Sequence, residues 1–271
     1  HGGERQVTQF QAIPAPPASG VQNLAGHPGG VIDLDRTFVG LDARWSWRGT
    51  PAEQPLAFSV GWAFQDMREL RRGFQNFDGS GQLGVRGALR RKEDISARNA
   101  DPYLHASWDF KPNWTLGAGV RHSDVRFDTR DHYVAPGNGD DSGAMSFRAT
   151  TPVLSISHRV GPNSVAYISA ARSFETPTLN EGAYASVSGA QTGWNSGLKP
   201  SKGTQHEVGA KWHDNGGGAS LQAALFRVRT QDEIGVAQNA AGRSVFRNVG
   251  ATERLGLELS GQARIAPSWS T

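Results

Sequence analysis

The chain has 271 residues, no cysteine, 34 glycines, 8 tryptophans and a formal net charge of +3. The missing cysteines exclude a disulfide framework, a thiolate metal site and a thiol nucleophile, and the small, scattered positive charge argues against nucleic acid as a partner. No apolar run is long enough for a membrane helix, but the negative mean hydropathy is compatible with a membrane barrel, whose strands carry apolar residues only at every second position.

The start at His1-Gly2-Gly3 has neither Met nor an apolar signal segment and reads as processed or truncated. Residues 1–36 read as a loop-rich segment, with space for a short strand near Val7 to Gln11. Pro14, Pro16, Pro17 and the run His27-Pro28-Gly29-Gly30 interrupt any regular ladder. From Thr37 to Trp47 the pattern has period two: Val39, Leu41, Ala43, Trp45 and Trp47 alternate with Gly40, Asp42, Arg44 and Ser46. After a short turn, Leu56, Phe58, Val60, Trp62 and Phe64 define a second strand. A long polar stretch rich in Arg and Gly then runs from Asp66 to about Arg98, and reads as a loop.

The plan repeats. Leu104 to Phe110, the turn Lys111-Pro112-Asn113 and Trp114 to Val120 form one pair, and a long segment covers Asp124 to Thr150. Pro152 to Val160, Gly161-Pro162-Asn163 and Ser164 to Ser173 form the next, followed by a long loop to Lys202. Thr204 to His213 and Ser220 to Thr230 flank a short turn, and a last strand spans Thr252 to Ile265.

Short and long connections therefore alternate. Antiparallel neighbours turn at opposite ends of a sheet, so the short turns share one end and the long loops the other, the asymmetry of an outer-membrane barrel. Trp45, Trp47, Trp108, Trp114, Trp212 and Trp269 all lie near short turns, where an aromatic belt would meet the lipid headgroups.

Charge sets the expected phase of each strand, because an arginine facing lipid costs up to about 2–4 kcal/mol near the midplane. On Ser220 to Thr230 this argument sends Gln222, Ala224, Phe226 and Val228 to lipid and Arg227 and Arg229 inward. By the same reasoning Arg44, Arg121, Arg172, Glu207 and Lys211 line a polar lumen. The fold class expected is thus all-β: an antiparallel transmembrane barrel, here an incomplete segment of roughly nine to eleven strands of ~9–11 residues each. It occupies 37–271, with 1–36 extracellular, and its open edges read as part of a larger barrel.

Ala171-Arg172-Ser173-Phe174-Glu175-Thr176-Pro177-Thr178-Leu179-Asn180-Glu181, followed by Leu198-Lys199-Pro200 through Glu207-Val208-Gly209, resembles the paired strand signature of TonB-dependent outer-membrane receptors. Phe226-Arg227 through Ile234 and Phe246-Arg247-Asn248-Val249-Gly250 through Glu258 are also similar to that family. The resemblance spans about residues 37 to 265. It implies a barrel filled by an N-terminal plug in the outer membrane of a Gram-negative bacterium, importing a ferric siderophore or similar iron complex with energy from TonB. No segment here resembles the plug, through which the TonB complex would act.

For such a ligand, Arg68, Arg71, Arg72, Arg90 and Arg91, with Arg86, are the candidate contacts: guanidinium groups suit carboxylate or catecholate oxygens. The same arginines could instead meet lipopolysaccharide or outer-membrane lipid. Haem is disfavoured, since no histidine lies between Pro177 and Leu198. No cofactor or metal is expected. Asn76, Asp78 and Ser80 imitate the start of a calcium loop, but Gly87 stands where the bidentate Glu belongs. Asp140-Asp141 is a weaker calcium candidate, and His206-Glu207 lacks the second histidine of a zinc helix. Two other readings remain: a passive porin or adhesin-like barrel without TonB coupling, and an outer-membrane lipase using outward-facing His158.

Overall fold

The computed structural model describes residues 1–10, 30–78, 80, 82–136, 138–187, 190–240, 243–266 and 269–270. Eleven strands form one antiparallel sheet. In chain order they are β1 (Gly2–Phe10), β2 (Val31–Gly49), β3 (Leu56–Phe74), β4 (Leu89–Lys111), β5 (Trp114–Asp131), β6 (Gly143–Gly161), β7 (Ser164–Glu175), β10 (Ser201–His213), β11 (Ala219–Gln231), β14 (Thr252–Ala266) and β15 (Trp269–Ser270). Two small hairpins lie in the long connections: β8 (Ala185–Val187) with β9 (Ala190–Thr192), and β12 (Ile234–Ala240) with β13 (Arg243–Asn248).

Each strand of the main sheet follows its predecessor, so the sheet is an up-and-down meander. The short connections between β2 and β3, β4 and β5, β6 and β7, and β10 and β11 share one end, and the long ones the other. Asn113 takes φ 68° in the two-residue connection between β4 and β5, the left-handed conformation that Asn tolerates in a tight turn.

Registers fix the two faces. Trp45 pairs with Val60, Val60 with Leu104, Leu104 with Val120, and the same row runs on through the sheet. Further along, Leu154 pairs with Ala170, Ala170 with His206, Val208 with Leu225 and Leu225 with Leu257. Directly opposed residues share a face, so these rows make one continuous apolar surface. Trp45, Trp47, Trp108, Trp114 and Trp212 all belong to it near the short connections, with Trp45 edge-on to Phe58 at 5.5 Å. The side chain of Trp269 is outside the described residues.

The opposite face carries Arg44, Arg121, Glu207 and Lys211, with glycines where it is crowded: a Cβ on Gly61 would meet the Tyr103 ring at 2.2 Å. Arg121 pairs with Asp101 at 2.6 Å, and the Tyr167 hydroxyl donates to Glu207 at 2.6 Å.

Four expectations are corrected. Arg172, Arg227 and Arg229 stand on the apolar face, because Thr204 pairs with both Arg172 and Arg229, and His206 pairs with Arg227. Arg227 is neutralised by a double hydrogen bond to Glu253, and Arg172 and Arg229 stand too high for the mid-membrane penalty. From Leu221 to Arg229 is roughly 27 Å of strand, or about 21 Å of height at ~40° tilt, near the top of a band ~25 Å tall, where arginine costs only ~0–1 kcal/mol.

Strands β2 to β6 are also far longer than the expected crossing length, at 18 to 23 residues. Asp66 to Phe74 and Leu89 to Arg98 are therefore ladder rather than loop. Finally, Gly2–Phe10 pairs with Val31 to Val39, so residues 2–10 and 31–36 belong to the sheet; the proline-rich part of that segment lies outside the described residues.

Candidate functional site

Beyond the apolar band, β3 to β6 continue as a polar wall. Its polar-face side presents Glu69 and Arg71 from β3, Arg91 and Glu93 from β4, Phe127 from β5, and Met145 and Phe147 from β6. Arg71 is directly opposite Glu93, and Glu69 opposite Ile95. The connection 176–200 folds back over this wall. Its entry is a reciprocal turn: Thr178 N–H donates to Glu181 at 2.7 Å, and Glu181 N–H to the Thr178 hydroxyl at 3.2 Å, the capping-box arrangement. Pro177 beside it is fully buried.

Aromatic packing holds the connection down. Phe127, Met145 and Phe147 form a buried cluster with Leu179 and Trp194 against it. Trp194 fills the space that Gly143 and Gly182 leave open, since a Cβ at either would lie 2.5 Å and 3.2 Å from its ring. Gly193 N–H donates to Asp141 at 2.8 Å.

This fold brings Tyr184 and Asn180 onto the arginines. Arg91 donates to the Tyr184 hydroxyl at 2.7 Å, its guanidinium 5.2 Å from the ring centroid, and also binds Glu93. Arg71 reaches Asn180 at 3.4 Å. Glu93 is 1% exposed, and one of its carboxylate oxygens has no hydrogen-bond partner among the described residues. Burial pushes the Glu93 carboxyl up, against the opposing pull of Arg91 and Arg71; burial, then the charge of Arg91, pushes Arg71 down. The niche holds two guanidinium groups and a phenol, and the buried carboxyls of Glu93, Glu69 and Asp141 lie close enough to act on the arginines.

The five candidate arginines do not form one group. Arg71 and Arg91 converge in the niche, whereas Arg68 and Arg72 point from the opposite face, near Asp66 at 3.4 Å and Asp33 at 3.3 Å. Arg90 is the extra residue of a bulge, between Gly73 paired with Arg91 and Phe74 paired with Leu89. Arg86, in the β3–β4 connection, reaches Asp33 at 3.1 Å and stacks over Phe74. The sequence does not mark Tyr184 and Asn180, because a loop residue's contact with a distant strand leaves no local pattern, nor Glu93, whose stretch of β4 lacks polar–apolar alternation.

A second tie joins the long connections. Asn248 donates to the carbonyls of Lys199 (2.9 Å) and Asp232 (2.7 Å) and accepts from Lys199 N–H at 2.9 Å. Asn195 donates to the Phe246 carbonyl at 2.8 Å. Asn248 lies within the Phe-Arg-Asn-Val-Gly segment already singled out, so this signal was available.

Other candidates have structural partners. Asp78 accepts from Ser80 N–H, Ser80 hydroxyl and Gln82 N–H, an ordinary Asx turn. No group of three metal-ligating side chains occurs among the described residues. His158 donates from Nδ1 to the Asn113 carbonyl at 3.2 Å and stacks on Trp114 at 4.3 Å.

A long-stranded antiparallel meander with one apolar face, short turns at one end and a roofed polar niche at the other has the architecture of part of a β-barrel. The model of the family "TonB dependent receptor-like, beta-barrel" matches residues 7–271, and the chain belongs to that family. Similar solved structures include the siderophore receptor PiuA from Acinetobacter baumannii, with TM-score 0.67, 17% identity, and 89% of this chain and 37% of that one covered. The ferric-catecholate import receptor Fiu from E. coli K12 gives 0.67, 15%, 98% and 41%, and the copper transporter OprC gives 0.68, 15%, 89% and 37%. The chain thus spans about 37–41% of the length of these structures.

Proposed function

We propose that this chain is the receptor part of an outer-membrane transporter of a Gram-negative bacterium, which captures a ferric siderophore or similar iron complex for TonB-dependent uptake. The observation that carries the ligand class is the convergence of Arg71 and Arg91 beneath Tyr184 and Asn180 on the polar face. Two partly buried guanidinium groups suit the carboxylate or catecholate oxygens of such a complex. The reading makes the polar face the lumen, with Arg44, Arg121, Glu207 and Lys211 along the path below. Two proteins of similar fold support it: PiuA is a siderophore receptor and Fiu a ferric-catecholate import receptor. Capture belongs to these strands and loops; TonB-driven rearrangement belongs to a plug in the parent protein.

The test uses the full-length parent gene, deleted and then restored as wild type or as Arg71→Ala/Arg91→Ala. Uptake of radio-iron is followed from ferric complexes of a catecholate, a hydroxamate and citrate, with and without a protonophore. Protonophore-sensitive uptake of an anionic complex, falling at least tenfold in the double variant at equal receptor level, is expected. Uptake indifferent to the protonophore would instead support a passive pore, and copper uptake alone would replace iron as the cargo.

A further inference from the structure

The roof over the niche puts its own oxygens on the two arginines. The Tyr184 hydroxyl accepts from Arg91 Nη1 at 2.7 Å, and the side-chain carbonyl of Asn180 stands 3.4 Å from Arg71 Nη1. The Arg91 guanidinium also lies 5.2 Å from the centroid of the Tyr184 ring, so it holds the phenol by its oxygen and by its ring face at once. Arg91 thus already carries an oxygen-bearing aromatic ring.

Charge alone selects little here. Glu93 and Glu69 act on Arg71, and Glu93 and Asp141 act on Arg91, so buried carboxyls offset the guanidinium charge. Selection falls to the contact that remains, a guanidinium that presents both an N–H and a flat face to an aryl oxygen. The backbone around Tyr184 is fastened on both sides. Ala183 is buried and its N–H donates to the Asn180 carbonyl at 3.4 Å, and Ala185 N–H donates to the Gly193 carbonyl at 3.0 Å. Tyr184 itself is half-buried, so its side chain can rotate off Arg91 while the connection stays in place. Arg91 keeps its bond to Glu93 when that happens, because Nε serves Glu93 and Nη1 serves Tyr184.

We infer that the niche takes the aryl oxygen of a phenolate or catecholate iron chelator, and that Tyr184 is its built-in stand-in, occupying Arg91 until such a ring displaces it. A group that fills the site part of the time lowers the apparent affinity for ligand by the fraction of sites left open. Tyr184 is thereby a specificity-determining residue, setting the threshold that an incoming ring must exceed. The inference rests on the capture reading above and narrows its ligand class.

The test titrates the full-length parent, purified in mild detergent, with two radio-iron probes: the ferric complex of a synthetic tripodal tris-catecholamide, and ferric citrate, which has no ring. Wild type, Tyr184→Phe and Arg71→Ala/Arg91→Ala are compared, each showing the heat-modifiable migration of a folded barrel. Wild type should bind the tris-catecholamide complex at least tenfold more tightly than ferric citrate. Tyr184→Phe, which frees the Arg91 N–H, should bind that complex at least threefold more tightly than wild type. A tyrosine that only pinned the roof, or that helped to grip the ligand, would give the opposite, so unchanged or weaker binding in Tyr184→Phe would overturn the inference. Equal affinity of wild type for the two probes would also overturn it. In both cases, loss of binding in the arginine double variant would leave the capture reading standing. Binding unchanged in the double variant, or no binding of either probe, would sink the capture reading and this inference with it.

Discussion

Arg91 and Tyr184 meet across 93 residues of sequence, through a 2.7 Å hydrogen bond and a cation–π contact at 5.2 Å. This pair fastens the connection 176–200 to β4. A hydrogen bond to a charged group contributes about 1.5–3 kcal/mol, and the cation–π contact about 0.5–1 kcal/mol. Tyr184→Ala should therefore speed amide exchange at Gly182 and Asn195 by at least tenfold, whereas Tyr184→Phe, which loses the hydrogen bond but keeps the ring, should fall short of that by about two- to fivefold. Equal exchange in the two variants would show that the ring contact contributes nothing.

The face assignment makes adjacent residues respond oppositely. Ile168 is on the apolar face in the middle of β7, and Ser169, its neighbour, is on the polar face opposite Ser155 and Glu207. Ile168→Arg should destabilise the full-length barrel by about 2–4 kcal/mol, measured by urea unfolding in lipid vesicles. Ser169→Arg should cost less than about 1 kcal/mol, because a charge there meets water and Glu207. A reversed order would invert the two faces.

Gly209 is placed where no side chain fits. A Cβ there would lie 2.6 Å from the Tyr167 hydroxyl oxygen and 2.8 Å from the Ala223 carbonyl oxygen. Gly209→Val should cost about 1–3 kcal/mol through overpacking, seen as a lower temperature for loss of heat-modifiable migration. Adding Tyr167→Ala should restore only part of the loss, since the backbone oxygen of Ala223 remains.

The base of the β12–β13 hairpin carries an acid-sensitive tie. The Thr252 hydroxyl and, at 2.8 Å, Arg254 both donate to Glu233. The Thr252 hydrogen bond first, then the Arg254 hydrogen bond, hold its carboxyl below the ordinary value of 4.5. A depressed folded pKa adds stability that is fully present above pH 4.5 and is lost as pH falls through the folded value. The protection of Val249, whose N–H donates to the Glu233 carbonyl at 2.7 Å, measured against the intrinsic exchange rate at each pH, should therefore fall on acidification below pH 4.5. Glu233→Gln should flatten that fall. An unchanged pH profile in Glu233→Gln would assign the effect to another group.

Local sequence was enough to establish the antiparallel meander, the alternation of short and long connections, and the apolar face of the central strands. Leu104, Ala106 and Trp108 against His105, Ser107 and Asp109 show why: alternation reports the contrast between lipid and water on a strand's two sides, and that contrast is strong at mid-membrane. Above the membrane both sides are polar and the contrast vanishes, although backbone pairing continues. The ladder from Arg68 to Arg72 and from Arg91 to Arg98 was therefore indistinguishable from loop.

Register against neighbouring strands decided the rest. The segment Leu221 to Val228 carries apolar residues in both phases, and pairing with β10 and β14 alone turns Leu225 outward and Phe226 inward. That choice moved Arg227 and Arg229 to the apolar side, and the pairing of β7 with β10 did the same for Arg172. The niche of Arg71, Arg91 and Tyr184 likewise exists only when a long connection closes over distant strands, since the spacing of contacts across a sheet is set by hydrogen bonds between strands, not by distance along the chain.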